Sequence, residues 1–173
     1  MTRFTNCIAA LLAGLCMSQA QALPEDAEQE IHIASNSASY DRQSGVLIYT
    51  GNVQMEQGTL KMRADKITVL RTDKGLEKVI AEGKTAQYEQ ILNEGEAVTH
   101  AYGETIIYQA DIEKLTLLKK AGLERQGNLF TGQKIVYLIK DQKIQAAGEN
   151  PEQAPDKDGR IRMVIQPQKK DKK

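Results

Sequence analysis

Residues 46–70 read VLIYTGNVQMEQGTLKMRADKITVL, and their apolar spacing decides the fold class. Leu47, Tyr49, Val53 and Met55 fall on one phase, followed by Leu60, Met62 and Ala64, then Ile67 and Val69. Side chains of a strand point to opposite faces in turn, so a period of two marks a strand with one buried face. Gln57-Gly58 supplies a turn between the two runs. The pattern continues upstream at Ile31-His32-Ile33. Downstream it returns at Ile106 and Tyr108, Leu115 and Leu117, Ile135, Tyr137 and Ile139, and Ile161, Met163 and Ile165. Turn residues separate these runs at Ser44-Gly45, Asp73-Lys74-Gly75, Asn93-Glu94-Gly95, Gln126-Gly127-Asn128 and Lys140-Asp141. This succession predicts an all-β chain of short antiparallel strands, arranged as a sandwich or roll. Residues 110–121 (ADIEKLTLLKKA) also place Ile112, Leu115 and Lys119 at helical spacing, but the strand-like surroundings favour a strand.

A shift of 68 residues superposes one part of the chain on another. Leu47 falls on Leu115, Tyr49 on Leu117, Met62 on Phe130, Lys66-Ile67 on Lys134-Ile135 and Leu70 on Leu138. Identities are few, yet the apolar phase is kept without a gap. One strand-turn-strand unit is therefore expected to occur at least twice.

The 173 residues suit one domain. Hydrophobic residues make up 40% and charged ones 27%, as in an ordinary globular protein rather than a disordered or multi-spanning one. Twenty-three bases balance 23 acids, so no basic footprint for nucleic acid is present and no nucleic-acid partner is expected.

Residues 1–22 read as a secretory signal peptide: Arg3, then the apolar stretch Cys7–Met17, then Ala20-Gln21-Ala22 as a small-x-small cleavage pattern. The apolar stretch falls short of the roughly 20 residues that span a bilayer. Both cysteines, Cys7 and Cys16, lie inside it, so the mature chain has none. Disulfides, thiolate catalysis and cysteine-ligated metals are thereby excluded. Leu15 before Cys16 does not suit a lipoprotein acylation site. Export to a bacterial periplasm is the expectation. The remainder divides into a β-domain over 23–148, a flexible loop over 149–160 with Pro151 and Pro155, a short terminal strand over 161–166, and a disordered basic tail over 167–173.

Catalytic signatures are weak. Gly83-Lys84-Thr85 resembles the end of a phosphate-binding loop, but Lys78 stands where the motif needs glycine, and Ala86 and Tyr88 continue a strand. His32 and His100 lack any metal-ligand spacing. Serines after the signal occur only at 35, 37, 39 and 44, without a nucleophile elbow. No enzyme, cofactor or metal is expected. Many strands share one apolar face of Ile, Leu, Val, Met and Tyr. Such faces either close as a dry core, which the pattern alone favours, or leave an elongated apolar groove.

Gly51-Asn52-Val53, Gly58-Thr59-Leu60-Lys61-Met62 and Ala64-Asp65-Lys66-Ile67 together resemble the LptA/OstA family of periplasmic lipopolysaccharide-transport bridge proteins. Tyr49-Thr50, Gln57, Gly83-Lys84, Tyr88, Tyr108, Lys134-Ile135, Tyr137-Leu138 and Lys143-Ile144-Gln145-Ala146 extend the resemblance over about 30–147. The chain departs from the family pattern at Leu118-Lys119-Lys120 and at Gln87 before Tyr88.

The resemblance implies an antiparallel β-jelly roll, a twisted V of two sheets open along one edge. It implies binding of lipopolysaccharide through its lipid A acyl chains, and head-to-tail self-assembly by strand addition. It further implies two envelope partners: a membrane-anchored protein of related fold on the inner-membrane transporter, and the periplasmic domain of the outer-membrane insertion protein. Phase and resemblance together nominate the groove residues Ile31, Ile33, Leu47, Tyr49, Val53, Met55, Met62, Ile67, Val69, Tyr88, Tyr108, Leu115 and Leu117. The physics suits such a role. Each methylene removed from water is worth roughly 0.8 kcal/mol, so a multi-acyl lipid needs shelter to cross an aqueous compartment. The competing readings are a non-catalytic β-strand adaptor of the cell envelope that binds only protein, and a carbohydrate-active jelly-roll enzyme.

Overall fold

The computed structural model describes residues 26–73, 75–148 and 160–167. The expected signal peptide, most of the 149–160 loop and the tail beyond Pro167 lie outside the described residues. Among the described residues a 3-10 turn at Asp26–Glu28 precedes ten strands. They are β1 (Ile31–Ala34), β2 (Ser37–Asp41), β3 (Val46–Gln57), β4 (Leu60–Thr72), β5 (Gly75–Gln90), β6 (Thr99–Gln109), β7 (Lys114–Arg125), β8 (Asn128–Leu138), β9 (Lys143–Ala147) and β10 (Arg162–Val164). Residues 114–125 are thus a strand, not the competing helix. All pairings are antiparallel, in the order β1-β3-β4-β5-β6-β7-β8-β10, with β2 on β3 and β9 on β8. The two ends do not pair with each other, so the sheet is not closed.

By hydrogen bonding this is one sheet, and a line of bulges folds it into two. Register slips at Thr50/Val53, Arg63/Lys66, Glu82/Ala86, Tyr102/Thr105 and Leu118/Ala121, near the middle of every long strand. A bulge bends its strand and raises the local twist, and bulges stacked strand to strand make a crease. In β3 the crease is made by Gly51 (φ +82°) and Asn52 (φ +46°), and in β7 by Lys119 (φ +59°) and Lys120 (φ +50°). These pairs lie 68 residues apart, so the spacing noticed in the sequence recurs in the backbone. At Gly103 on β6 an added Cβ would sit 3.1 Å from the Leu118 carbonyl oxygen, so the crease packs backbone closely there.

The crease divides the molecule into two leaves. The first holds β2, β9 and the segments 46–50, 66–72, 75–82, 105–109, 114–118 and 134–138. The second holds β1, β10 and the segments 53–57, 60–63, 86–90, 99–102, 121–125 and 128–131. The leaves face each other. Tyr88 pairs with Ala101 in register, yet its ring lies 6.2 Å from that of Tyr108. Seven residues of straight strand would span about 23 Å, so β6 must fold back to bring Tyr108 there. Arg125, at the Asn128 end of β8, likewise reaches Tyr137 nine residues on. A single apolar cluster fills the space between, including Val53, Met55, Ile67, Ile106, Leu115, Leu123 and Ile135. Each such side chain contributes about 1.5–3 kcal/mol by leaving water.

Candidate functional site

All thirteen residues nominated from the sequence lie on the inner surface of the folded sheet. Val53, Met55, Met62, Ile67, Val69, Tyr88, Leu115 and Leu117 are buried in its middle. Ile31, Ile33, Leu47, Tyr49 and Tyr108 are partly buried against them. Four of these five sit on β1 and β3, and Phe130, Ile144 and Ala146 on β8 and β9 are partly buried likewise, so the interior is less covered toward both edges of the sheet. His32 and His100 are exposed instead, 3.7 Å from Glu30 and 3.8 Å from Glu89 respectively. Gly83-Lys84-Thr85 sits in the β5 bulge with no helix after it, as the sequence argued.

The free rims of the leaves are the turns at either end of the strands, and a cavity of about 860 Å³ lies between them. That is within the size range of small-molecule sites, roughly 300–1,000 Å³. Leu60, Leu76, Leu92, Tyr108 and Ile139 give it apolar walls, while Asp26, Glu77, Glu94, Asp111 and Glu113 stand around it. An apolar floor under a charged rim is the arrangement that receives an amphiphile, chains inward and polar parts toward water.

One row at the rim of the second leaf breaks the apolar pattern. Gln57 (5% exposed), Gln90 (8%), Thr99 (0%) and Arg125 (9%) are the buried polar or charged residues among those described. Register places them side by side with Leu60, on the phase of Met55, Tyr88, Ala101 and Leu123. The β3–β5 half of the row is satisfied by the 3-10 turn. Gln57 Nε2 donates to the carbonyls of Ala27 (3.3 Å) and Gln29 (3.2 Å). Asp26 accepts from Thr59 N (2.7 Å), Thr59 Oγ1 (2.6 Å) and Gln90 Nε2 (2.6 Å). The Tyr88 hydroxyl in turn donates to Gln90 Oε1.

The β6–β7 half is less complete. Arg125 Nη1 donates to the Tyr137 hydroxyl at 2.6 Å and Nη2 to Glu96 at 3.1 Å, with the guanidinium carbon 5.6 Å from the Tyr137 ring centre. Arg125 Nε and Thr99 Oγ1 have no partner. A buried polar group left unpaired costs about 1–3 kcal/mol. Burial pushes the Tyr88 phenol well above its ordinary range, aided by Tyr108, Tyr137 and Asp26. The same effect takes Tyr108 up to about 12, with Glu113 and Asp26 adding to it. Tyr137 rises by burial against the opposing charge of Arg125. These three phenols are therefore neutral hydrogen-bonding groups at any ordinary pH.

The polar row and its 3-10 turn were not foreseen from the sequence. Their only signal is phase: Gln57 follows Val53 and Met55 at even spacing, as Arg125 follows Ala121 and Leu123.

Residues 32–143 match the family profile described as LptA/(LptD N-terminal domain) LPS transport protein. The chain is 39% identical to the lipopolysaccharide export system protein LptH of Pseudomonas aeruginosa over 172 residues, covering 97% of this chain and 98% of that protein. It is 34% identical to LptA of Escherichia coli K12 over 148 residues, covering 84% of this chain and 76% of that one. The crystal structure of LptH, described as the LptA-homologous periplasmic component of the lipopolysaccharide transport device of P. aeruginosa, superposes with a TM-score of 0.74. It covers 83% of this chain and all of that one, at 38% identity.

Proposed function

The chain belongs to the LptA/LptD N-terminal family of lipopolysaccharide transport proteins, and from that premise we propose that it is a periplasmic carrier. It binds lipopolysaccharide between its two leaves and bridges the inner and outer membranes. The observation that carries this reading is the crease: it turns one sheet into two facing apolar leaves with open rims. The acyl chains lie along the inner surface, against the thirteen nominated residues, while sugars and phosphates stay at the rim. No catalysis is required. A continuous apolar path lets chains pass between similar sites in small steps, and a transporter upstream supplies the push.

In the same reading residues 1–22 direct export and are cleaved. Among the described residues no strand lies beyond β1 and β2 or beyond β9 and β10, and such edges support head-to-tail assembly, since an open edge accepts another strand. Ile161, Met163, Val164 and Ile165 add exposed apolar area at the second of these edges. Such a contact is heterologous and propagates. Its other takers are the related-fold protein anchored at the inner membrane and the periplasmic domain of the outer-membrane insertion protein.

Photo-crosslinking tests the reading. A crosslinkable residue at inward Tyr88 should yield a lipopolysaccharide adduct, and one at outward Lys61 should not. A folded chain giving no adduct at 88 would transfer support to the protein-binding adaptor.

A further inference from the structure

The outer faces of the two leaves differ in charge as well as in polarity. On the first leaf, register aligns Ile48, Thr68, Ile80, Ile107, Thr116 and Val136 in one row across six strands, on the phase opposite the core. All six are β-branched and none is buried, so the row meets solvent. The row on its rim side carries Lys78, Lys114 and Lys143, and the row on its crease side carries Lys66 and Lys134. Against these five lysines the same face holds two carboxylates, Asp41 and Glu82, a net charge of 5 − 2 = +3. Lys66 lies 3.0 Å from Glu82, and the other four lysines form no ion pair among the described residues.

The outer face of the second leaf is balanced. Lys61, Arg63 and Arg162 stand there with Glu56, Glu89 and Glu124. Lys61 lies 3.7 Å from Glu56 and Arg63 3.8 Å from Glu89. An apolar row edged by unpaired lysines suits an anionic bilayer surface. Branched side chains enter the headgroup boundary, while lysine stems lie along it and their ammonium groups meet lipid phosphates. A second copy fits the face worse. First leaf on first leaf would set lysines against lysines, and the second leaf offers Gln54, Arg63, Gln87 and Gly122 rather than an apolar row. The acids around the cavity, Asp26, Glu77, Glu94, Asp111 and Glu113, belong to the inner side, and an anionic surface repels them.

We propose that the outer face of the first leaf is a docking surface for an anionic phospholipid bilayer, held by Lys78, Lys114, Lys134 and Lys143 around the β-branched row. The contact uses none of the thirteen inner residues, so it stands whether or not the groove carries lipid.

The test is co-sedimentation with vesicles, using the chain from residue 23 onward, which carries all the described strands. The vesicles are equal parts phosphatidylglycerol and phosphatidylcholine, or phosphatidylcholine alone. Binding should favour the anionic vesicles by at least about tenfold and weaken as salt is raised. Lys78→Gln and Lys134→Gln should each lower it by about fivefold. Ile80→Thr and Ile107→Thr, which keep β-branching, should each lower it by about threefold. Lys61→Gln with Arg63→Gln removes two charges from the second leaf and should leave binding nearly unchanged. Equal losses from the two lysine pairs of variants would make net charge the cause and overturn the docking face. So would equal binding to both kinds of vesicle, or none to either, the latter leaving the face to an acidic protein. Truncation after Pro167 removes four tail lysines, and the effect of Lys78→Gln and Lys134→Gln should survive it. Binding that those two substitutions spare and the truncation abolishes assigns the contact to the tail and overturns the proposal. Phospholipid recovered with soluble chain, rather than chain recovered with vesicles, would be uptake into the groove and would overturn it too.

Discussion

The two leaves are built from the same strands, yet their inner faces end differently. At the rim of the first leaf Leu47, Val69, Val79, Tyr108, Leu115 and Tyr137 stand in register, six aliphatic or aromatic neighbours with only phenol hydroxyls as polar side-chain atoms. At the rim of the second leaf the matching row runs Gln57, Leu60, Gln90, Thr99 and Arg125. One leaf stays apolar all the way out, and the other changes to hydrogen bonding before water is reached. A groove with one wall of each kind orients an amphiphile across its mouth, which two identical apolar walls would not do.

If the first leaf is held by packing, Leu115→Ala should be the most damaging substitution, lowering stability by about 2–5 kcal/mol in denaturant unfolding. A change near zero there would mean that the leaf is not a packed wall. The rim phenols come next. Tyr108 is neutral in the folded chain up to about 12, against about 10 when unfolded, so its contribution is complete below pH 10 and lost as pH rises toward 12. The loss should be about 2–3 kcal/mol, and Tyr108→Phe should flatten that part of the stability profile. On the second leaf, Asp26→Ala strands Thr59 and Gln90 and should lower stability by about 1–3 kcal/mol. Equal stability after Asp26→Ala would mean that water satisfies that rim as well as the 3-10 turn does. The smallest effect is expected at the crease, which both leaves share. Lys119→Gly relieves a left-handed backbone and should stabilise by about 0.5–1 kcal/mol in the same unfolding assay.

The same contrast explains what the sequence could tell. The strands of the second leaf alternate cleanly because their outer faces are polar, as in Gln54, Glu56, Lys61, Arg63, Gln87 and Glu89. The first leaf carries Ile48, Thr68, Ile80, Ile107, Thr116 and Val136 on its outer face, so its strands read as near-continuous apolar runs and their phase had to be borrowed from neighbours. The thirteen inner residues were legible because each belongs to a run with a visible phase. The crease was not named, although it leaves a trace: inner residues step from Met62 to Ile67, Ala81 to Ala86 and Ala101 to Ile106, each an odd interval that only a bulge permits. The two-leaf roll was legible, and the hydrogen bonding adds that both leaves belong to one folded sheet, which periodicity cannot show. The polar row stayed hidden since Gln, Thr and Arg in phase with a core look like surface until register places them beside one another.

Arrival of lipid between the leaves is best read from the width of the mouth. The chain beyond residue 22 has no native cysteine, so Glu94→Cys and Asp111→Cys place one spin label on each rim of the cavity. Electron–electron dipolar measurement should give a short, narrow distance distribution without lipid and a longer one once lipopolysaccharide is bound. An unchanged distance in a sample shown to carry bound lipopolysaccharide would contradict uptake between the leaves.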